Sequence, residues 1–165
     1  MKKYQSKNGF TLIELVIFMG LFSILLLALT SMFTALTSAQ IETQAYSAVQ
    51  SDSQYLVNRL HYDISRADSI TTPASAGTTA TSLVLVIGGQ TQTYSVSNGV
   101  LSLTTPTGTV RTHSPRTTIS NLLFRRIGNT SGRHSLQITA TITTTISQPG
   151  PAETTDILTT VGIRY

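Results

Sequence analysis

The sequence predicts an α+β protein in which one long N-terminal helix packs on a C-terminal antiparallel β-sheet head. Three observations predict this fold class. An apolar run covers residues 10–29. An apolar stripe with helical spacing then continues to about Ala67, and no Pro or Gly lies between Thr30 and Ile70. From Ser82 onward apolar residues recur at every second position, which is typical of strands.

Composition excludes several kinds of functional site. The 165 residues include no Cys, so a disulfide scaffold, a thiolate nucleophile, a zinc–cysteine cluster and an iron–sulfur site are excluded. The net charge is +4, but Lys2, Lys3 and Lys7 all precede the apolar run. The rest of the chain is nearly neutral, because it carries eight arginines and seven acidic residues. This distribution predicts no specific nucleic-acid partner. Five arginines form the one candidate for a basic patch: Arg111, Arg116, Arg125, Arg126 and Arg133.

The apolar run is long enough to cross a membrane. About 20 helical residues span the ~30 Å hydrocarbon core of a bilayer. The three lysines before the run place the amino terminus in the cytoplasm and everything after Thr30 outside the membrane. The one charge within the run is Glu14, which is costly in lipid unless it is paired.

Three interpretations of this segment compete. A secretory signal peptide has an apolar core of only about 7–15 residues, and the small-residue site at 37–39 lies about ten residues past Leu29. A plain membrane anchor explains the length but not Glu14. In the third interpretation Gly9 ends a short hydrophilic leader and Phe10 becomes the new terminus. Gly9 suits this role because, without a Cβ, it can lie extended in a protease cleft.

The segment Lys7–Glu14, followed by an apolar stretch, resembles the leader and processing site of type IV prepilins and type II secretion pseudopilins. The resemblance implies that a prepilin peptidase cuts after Gly9 and methylates the new amino group of Phe10. It implies that Glu14 pairs with the amino-terminal charge of a neighbouring subunit. The implied partners are that peptidase, other pilin or pseudopilin subunits, an inner-membrane assembly platform and membrane lipid. The implied location is the bacterial inner membrane, with a single pass, and then a pilus or pseudopilus fibre.

Four regions follow from this interpretation. They are a leader at 1–9, a transmembrane and assembly helix at 10–39, an amphipathic helix half at 40–70 and a β-rich head at 71–165. The amphipathic half carries the apolar stripe: Ile41, Ala45, Val49, Leu56, Leu60, Ile64 and Ala67. Asp63 can pair with Arg59 or with Arg66 on the helix surface.

Turn signals divide the head into strands. Residues 71–82, with Pro73 and Gly77, are predicted as a loop. Asn98-Gly99 predicts a two-residue hairpin turn, because a type I′ turn needs positive φ at both positions. The turn at 148–151 follows a strand in which Thr alternates with Ala or Ile. The predicted strands are Ser82–Ile87, Thr91–Ser97, Val100–Thr104, Thr109–Thr112, Ile119–Ile127, Ser135–Ile146 and Ile157–Arg164.

Three short segments resemble the large minor subunits of the pseudopilin J and pilus W class. They are Leu56–Ala67, Ile119–Phe124 and Thr159–Arg164. Major pilins usually carry a helix-bending proline where this chain has Ser31, and its absence favours the same subclass.

No catalytic, cofactor or metal site is predicted, so the protein is not expected to be an enzyme. His61, His113 and His134 fall on different predicted elements, and His61 and Asp63, two positions apart on a helix, point to different sides. No HExxH, GxSxG, P-loop or GxGxxG motif occurs. The predicted function is that of a minor pilin or pseudopilin. Two alternatives stay open: a membrane-tethered or secreted β-rich binding module, and a surface hydrolase in the Ser/Thr-rich head.

Overall fold

The computed structural model describes residues 9–128 and 134–163. Residues 1–8 of the predicted leader, Arg133 of the predicted basic patch and Arg164 of the last predicted strand lie outside the described residues. The described chain forms two compact units that divide between Gln40 and Ile41. Its one α-helix, α1 (Leu12–Arg66), contributes to both units.

The first unit contains the N-terminal part of α1. We call residues 12–40 of α1 the apolar segment. Of residues 9–40, all but Ser38 are exposed, and they include most of the large hydrophobic side chains that are exposed in the described chain. This unit therefore has no core of its own.

In the second unit, α1 packs through the predicted stripe. Ala45, Val49, Leu56, Leu60 and Ile64 are buried, and Ile41 is half-buried. The helix ends at Arg66, and Ala67, the last residue of the predicted stripe, is buried just beyond it. The amphipathic prediction for this half of α1 is confirmed.

The head consists of two antiparallel sheets around one core. Their strands are β1 (Ser69–Thr72), β2 (Thr79–Ala80), β3 (Ser82–Ile87), β4 (Gln90–Ser97), β5 (Val100–Thr105), β6 (Gly108–Arg111), β7 (Thr117–Ile127), β8 (Ser135–Thr144) and β9 (Thr154–Gly162). The first sheet has the order β1-β3-β4-β5-β6, and the second has the order β2-β7-β8-β9. The apolar faces of both sheets join the α1 stripe in one cluster of buried side chains. The α+β, pilin-like layout is as predicted.

Two short strands correct the sequence prediction. β1 begins at Ser69, inside the region predicted as the end of the amphipathic helix, and it buries Ile70. β2 lies inside the region predicted as a loop. Both strands pair with residues far away in the chain, β1 with β3 and β2 with β7. Because they are only four and two residues long, they show no local period that a sequence pattern could reveal.

The hairpin turn between β4 and β5 confirms the strongest local prediction. Asn98 and Gly99 have φ values of 51° and 75°, as a type I′ turn requires. Ser97 and Val100 pair directly across the turn. Another residue with positive φ is Asn121 (52°), which lies where the register of β7 against β8 shifts between Ser120 and Leu123.

Candidate processing and assembly site

The N-terminal end of α1 is capped by its own first turn. The Oγ1 atom of Thr11 accepts a hydrogen bond from the backbone N–H of Glu14 (3.3 Å) and donates to Glu14 Oε2 (3.5 Å). The Thr11 carbonyl accepts the first intrahelical bond, from the N–H of Leu15 (3.2 Å). Thr-x-x-Glu is a capping-box pattern, so the sequence contained this signal, but the sequence analysis did not use it.

The predicted cleavage junction lies immediately before this cap. Gly9 and Phe10 precede the first residue of the helix, and the Phe10 side chain is 83% exposed. A Cβ added at Gly9 meets no atom within 4 Å. Within the described chain there is therefore no steric need for glycine at this position.

Five of the six hydroxyl groups of the apolar segment bond to carbonyl groups of their own helix. Ser23 Oγ donates to Met19 O, and Thr30 Oγ1 donates to Leu26 O, both at 2.8 Å. Ser31, Thr34 and Thr37 make similar bonds to carbonyls three or four residues earlier. Because these hydroxyls need no water, they do not oppose burial in lipid. Within the described residues, α1 is the one helix long and apolar enough to cross a membrane by length and composition.

The head contains a polar network that the sequence analysis missed. The Leu101 N–H donates to His113 Nε2 (3.1 Å), so the proton of the neutral ring is assigned to Nδ1, which donates to Thr117 Oγ1 (3.1 Å). Thr117 Oγ1 in turn donates to Asp52 Oδ2 (2.5 Å), which also accepts the Ser114 N–H (3.1 Å). Burial, followed by the positive charge of Arg111, lowers the pKa of His113.

This network holds elements together and does not have the geometry of a hydrolase site. Thr117 Oγ1 is fully buried and donates to a carboxylate, and His113 Nε2 is occupied by a backbone N–H, so no histidine nitrogen is open to act as a base for it. The Arg111 guanidinium fastens the adjoining loop by donating to the carbonyls of His113, Ser114 and Thr117. The described residues contain no group of three or more His, Cys, Asp or Glu side chains that could hold a metal ion.

A second buried polar group joins α1 to the first sheet. Asp63, 3% exposed, pairs with Arg59 Nε (2.9 Å) and accepts a hydrogen bond from the Tyr94 hydroxyl. Of the two predicted partners of Asp63, Arg59 is thus the one observed, while Arg66 donates to the Tyr62 hydroxyl. Burial and the bond to Asp63 raise the pKa of Tyr94. His61 is exposed and takes no part.

The predicted basic patch does not gather its arginines on one open face. Arg126 is buried and donates to the carbonyls of Ile70, Pro73 and Ala74. Arg111 is committed to the loop described above. Two of the four described arginines in this set therefore serve internal backbone acceptors, which corrects the idea of a shared basic surface.

Residues 4–30 match the family described as Prokaryotic N-terminal methylation motif, and the match contains Gly9, Phe10 and Glu14. No curated protein and no solved structure matches the chain. The motif supports a processed subunit of the type IV pilin or pseudopilin kind, and it implies processing by prepilin peptidase and assembly with other pilin subunits. Proteins with this motif are structural and not enzymatic. The motif and the long apolar helix together fit an inner-membrane-anchored pilin.

Proposed function

We propose that the chain is a minor pilin or pseudopilin that is cut after Gly9, methylated on Phe10 and assembled into a type IV pilus-like fibre or a secretion pseudopilus. One observation carries this proposal: the methylation motif spans a glycine–phenylalanine bond that stands immediately before an exposed apolar helix. The amino terminus would face the cytoplasm and the head the outside, because all three lysines precede the apolar run. The inner-membrane assembly platform is the partner that would extract the subunit.

The subclass is part of the same proposal. The resemblance of three segments to the pseudopilin J and pilus W class is supported by the elements on which they lie. Leu56–Arg66 lies on α1, Ile119–Phe124 on β7 and Thr159–Gly162 on β9. The absence of proline between Thr30 and Ile70 is also in keeping with this class.

Gly9→Val tests the processing step. We expect intact-mass analysis of membrane-extracted wild-type protein to show a chain that begins at methylated Phe10, and the variant to keep its leader, because a β-branched residue restricts the backbone in a protease cleft. Gly20→Val is the matched control, since an added Cβ meets nothing within 4 Å at either glycine. A wild-type chain that keeps Met1, or that begins at Gln40, would favour an ordinary anchor or a signal peptide.

Glu14→Gln tests the assembly step. A lone carboxylate at membrane depth costs about 2.5–3.5 kcal/mol on insertion scales, so its presence calls for a compensating partner. If that partner is the amino group of a neighbouring subunit, Glu14→Gln keeps cleavage and membrane insertion but loses incorporation into fibres. Immunoblots of membrane and sheared-fibre fractions measure both steps, with Glu42→Gln as the control outside the apolar segment. Normal incorporation of Glu14→Gln would end the charge-pairing proposal, and blocked cleavage would assign Glu14 to the peptidase instead.

A further inference from the structure

The four sheet edges of the head differ in length and regularity. β2 has two residues, β6 has four, and β1 has four with a shift in register between Ile70 and Thr72. β9 has nine residues and pairs with β8 through nine successive positions without a shift. Natural proteins block sheet edges by making them short or irregular, and β9 is the edge that is neither.

One row of backbone groups on β9 faces away from β8. The Thr144 N–H donates to Glu153 O at one end of the pairing, and the Ile163 N–H donates to His134 O at the other. Because antiparallel pairs alternate, the odd-numbered residues from 153 to 163 bond to β8 and the even-numbered ones face outward. Within the described residues, the outward N–H and C=O groups have no strand partner. We call the five residues that carry these groups the β9 edge: Thr154, Asp156, Leu158, Thr160 and Gly162.

The side chains of the β9 edge do not block it. All five residues are exposed, and the strand contains no Lys, Arg or Pro. Its one charged group, the Asp156 carboxylate, accepts a hydrogen bond from Thr141 Oγ1 of β8 (2.7 Å). Leu158 is 70% exposed and lies in register with Thr139 and, across it, with the exposed Leu123 of β7. A row with an exposed leucine at each end thus runs from β7 across β8 to the β9 edge.

We propose that the β9 edge pairs with the β9 edge of a second copy of this chain, antiparallel and centred on Leu158. This register sets Leu158 opposite Leu158, Asp156 opposite Thr160 and Thr154 opposite Gly162. All five outward residues then meet outward residues, which forms about ten backbone hydrogen bonds around a two-fold axis. Each exposed leucine gains an apolar neighbour.

Charge permits pairing of two copies and selects the register centred on Leu158. A pairing centred on Asp156 sets two carboxylates opposite each other, which destabilises a sheet. The register centred on Leu158 sets each Asp156 opposite an uncharged hydroxyl. The edge is therefore complementary to itself without a cation from another protein.

Single cysteines test the pairing, because the chain has none of its own. In the full-length protein, in membranes or detergent micelles, we expect Leu158→Cys to form a disulfide-linked dimer on mild oxidation. The two Cα atoms of such a pair lie about 5.5 Å apart, within the ~4.4–6.8 Å range of disulfides. Asp156→Cys alone should form no disulfide-linked dimer, because its two copies lie roughly 14 Å apart in this register. Co-expressed Asp156→Cys and Thr160→Cys chains should cross-link to each other.

Val110→Cys is the matched control, at a 65% exposed position of the short edge strand β6. Equal dimer yields for Val110→Cys and Leu158→Cys would show random collision and overturn the proposal. So would a Leu158→Cys chain that stays monomeric, that cross-links to a protein of another mass, or that yields no more dimer than Asp156→Cys. The cross-link is scored whether or not the leader is removed, so its failure and the failure of processing are separate results.

Discussion

The two parts of α1 differ in what surrounds their side chains. In the apolar segment large hydrophobic side chains point outward on every side, whereas residues 41–66 bury a single stripe against two sheets. Their polar groups differ in the same way. Hydroxyls of the apolar segment bond to carbonyls of their own helix, but Asp52 and Asp63 bond to residues of distant strands and loops. The first part is built to be surrounded by apolar material, and the second is built to organise a core.

The largest difference between the two parts is expected in the free energy of unfolding when a leucine in each is truncated to alanine. Leu60 is 1% exposed in the core of the head, and Leu21 is exposed in the apolar segment. We expect Leu60→Ala to lower the free energy of unfolding of the head by about 2–5 kcal/mol, and Leu21→Ala to change it by less than about 0.5 kcal/mol. Urea unfolding of the full chain in detergent, followed by the near-ultraviolet circular dichroism of its tyrosines, measures both. Equal losses would mean that the two parts do not differ as described.

Hydroxyl removal should give a smaller contrast of the same sign. Thr117→Val removes the donor to Asp52 and the acceptor of the His113 Nδ1 proton, which we expect to cost about 1–3 kcal/mol of head stability. Thr30→Val removes a hydroxyl that serves only a carbonyl of its own helix, and should cost less than about 0.5 kcal/mol. The same unfolding assay compares them, and a Thr30→Val loss as large as that of Thr117→Val contradicts the distinction.

The pH dependence of the head should show the smallest effect. Because the pKa of His113 is lowered in the folded chain from its ordinary 6.5, the unfolded chain binds a proton that the folded chain does not. Stability is therefore expected to fall as the pH drops below about 6.5. His113→Gln, which cannot titrate, should lose less stability between pH 7 and pH 5. An identical pH profile for the wild type and the variant would show that His113 does not contribute.

The sequence predicts the features that depend on neighbouring residues, but it does not predict contacts between residues far apart in the chain. The α1 stripe and the Asn98-Gly99 turn depend on neighbouring residues, so periodicity and turn chemistry predicted them. The Gly9–Glu14 segment was equally local. By contrast, Asp52 and Thr117 meet across 65 positions, and no pattern in either segment indicates the other. The start of β9 was placed three residues late because its first residues, Thr154–Asp156, are polar and join the strand only through β8.

The Thr11–Glu14 cap lies wholly on the C-terminal side of the Gly9–Phe10 bond, so cutting that bond leaves the helix start intact and changes only the charge there. The aligned peptide dipoles of a helix amount to about +0.5 elementary charge at its N-terminus. A new ammonium group on Phe10 would add a full positive charge beside that partial one. The Glu14 carboxylate would oppose one charge of this total of about +1.5, and Glu14→Gln would leave all of it unopposed in the first turn.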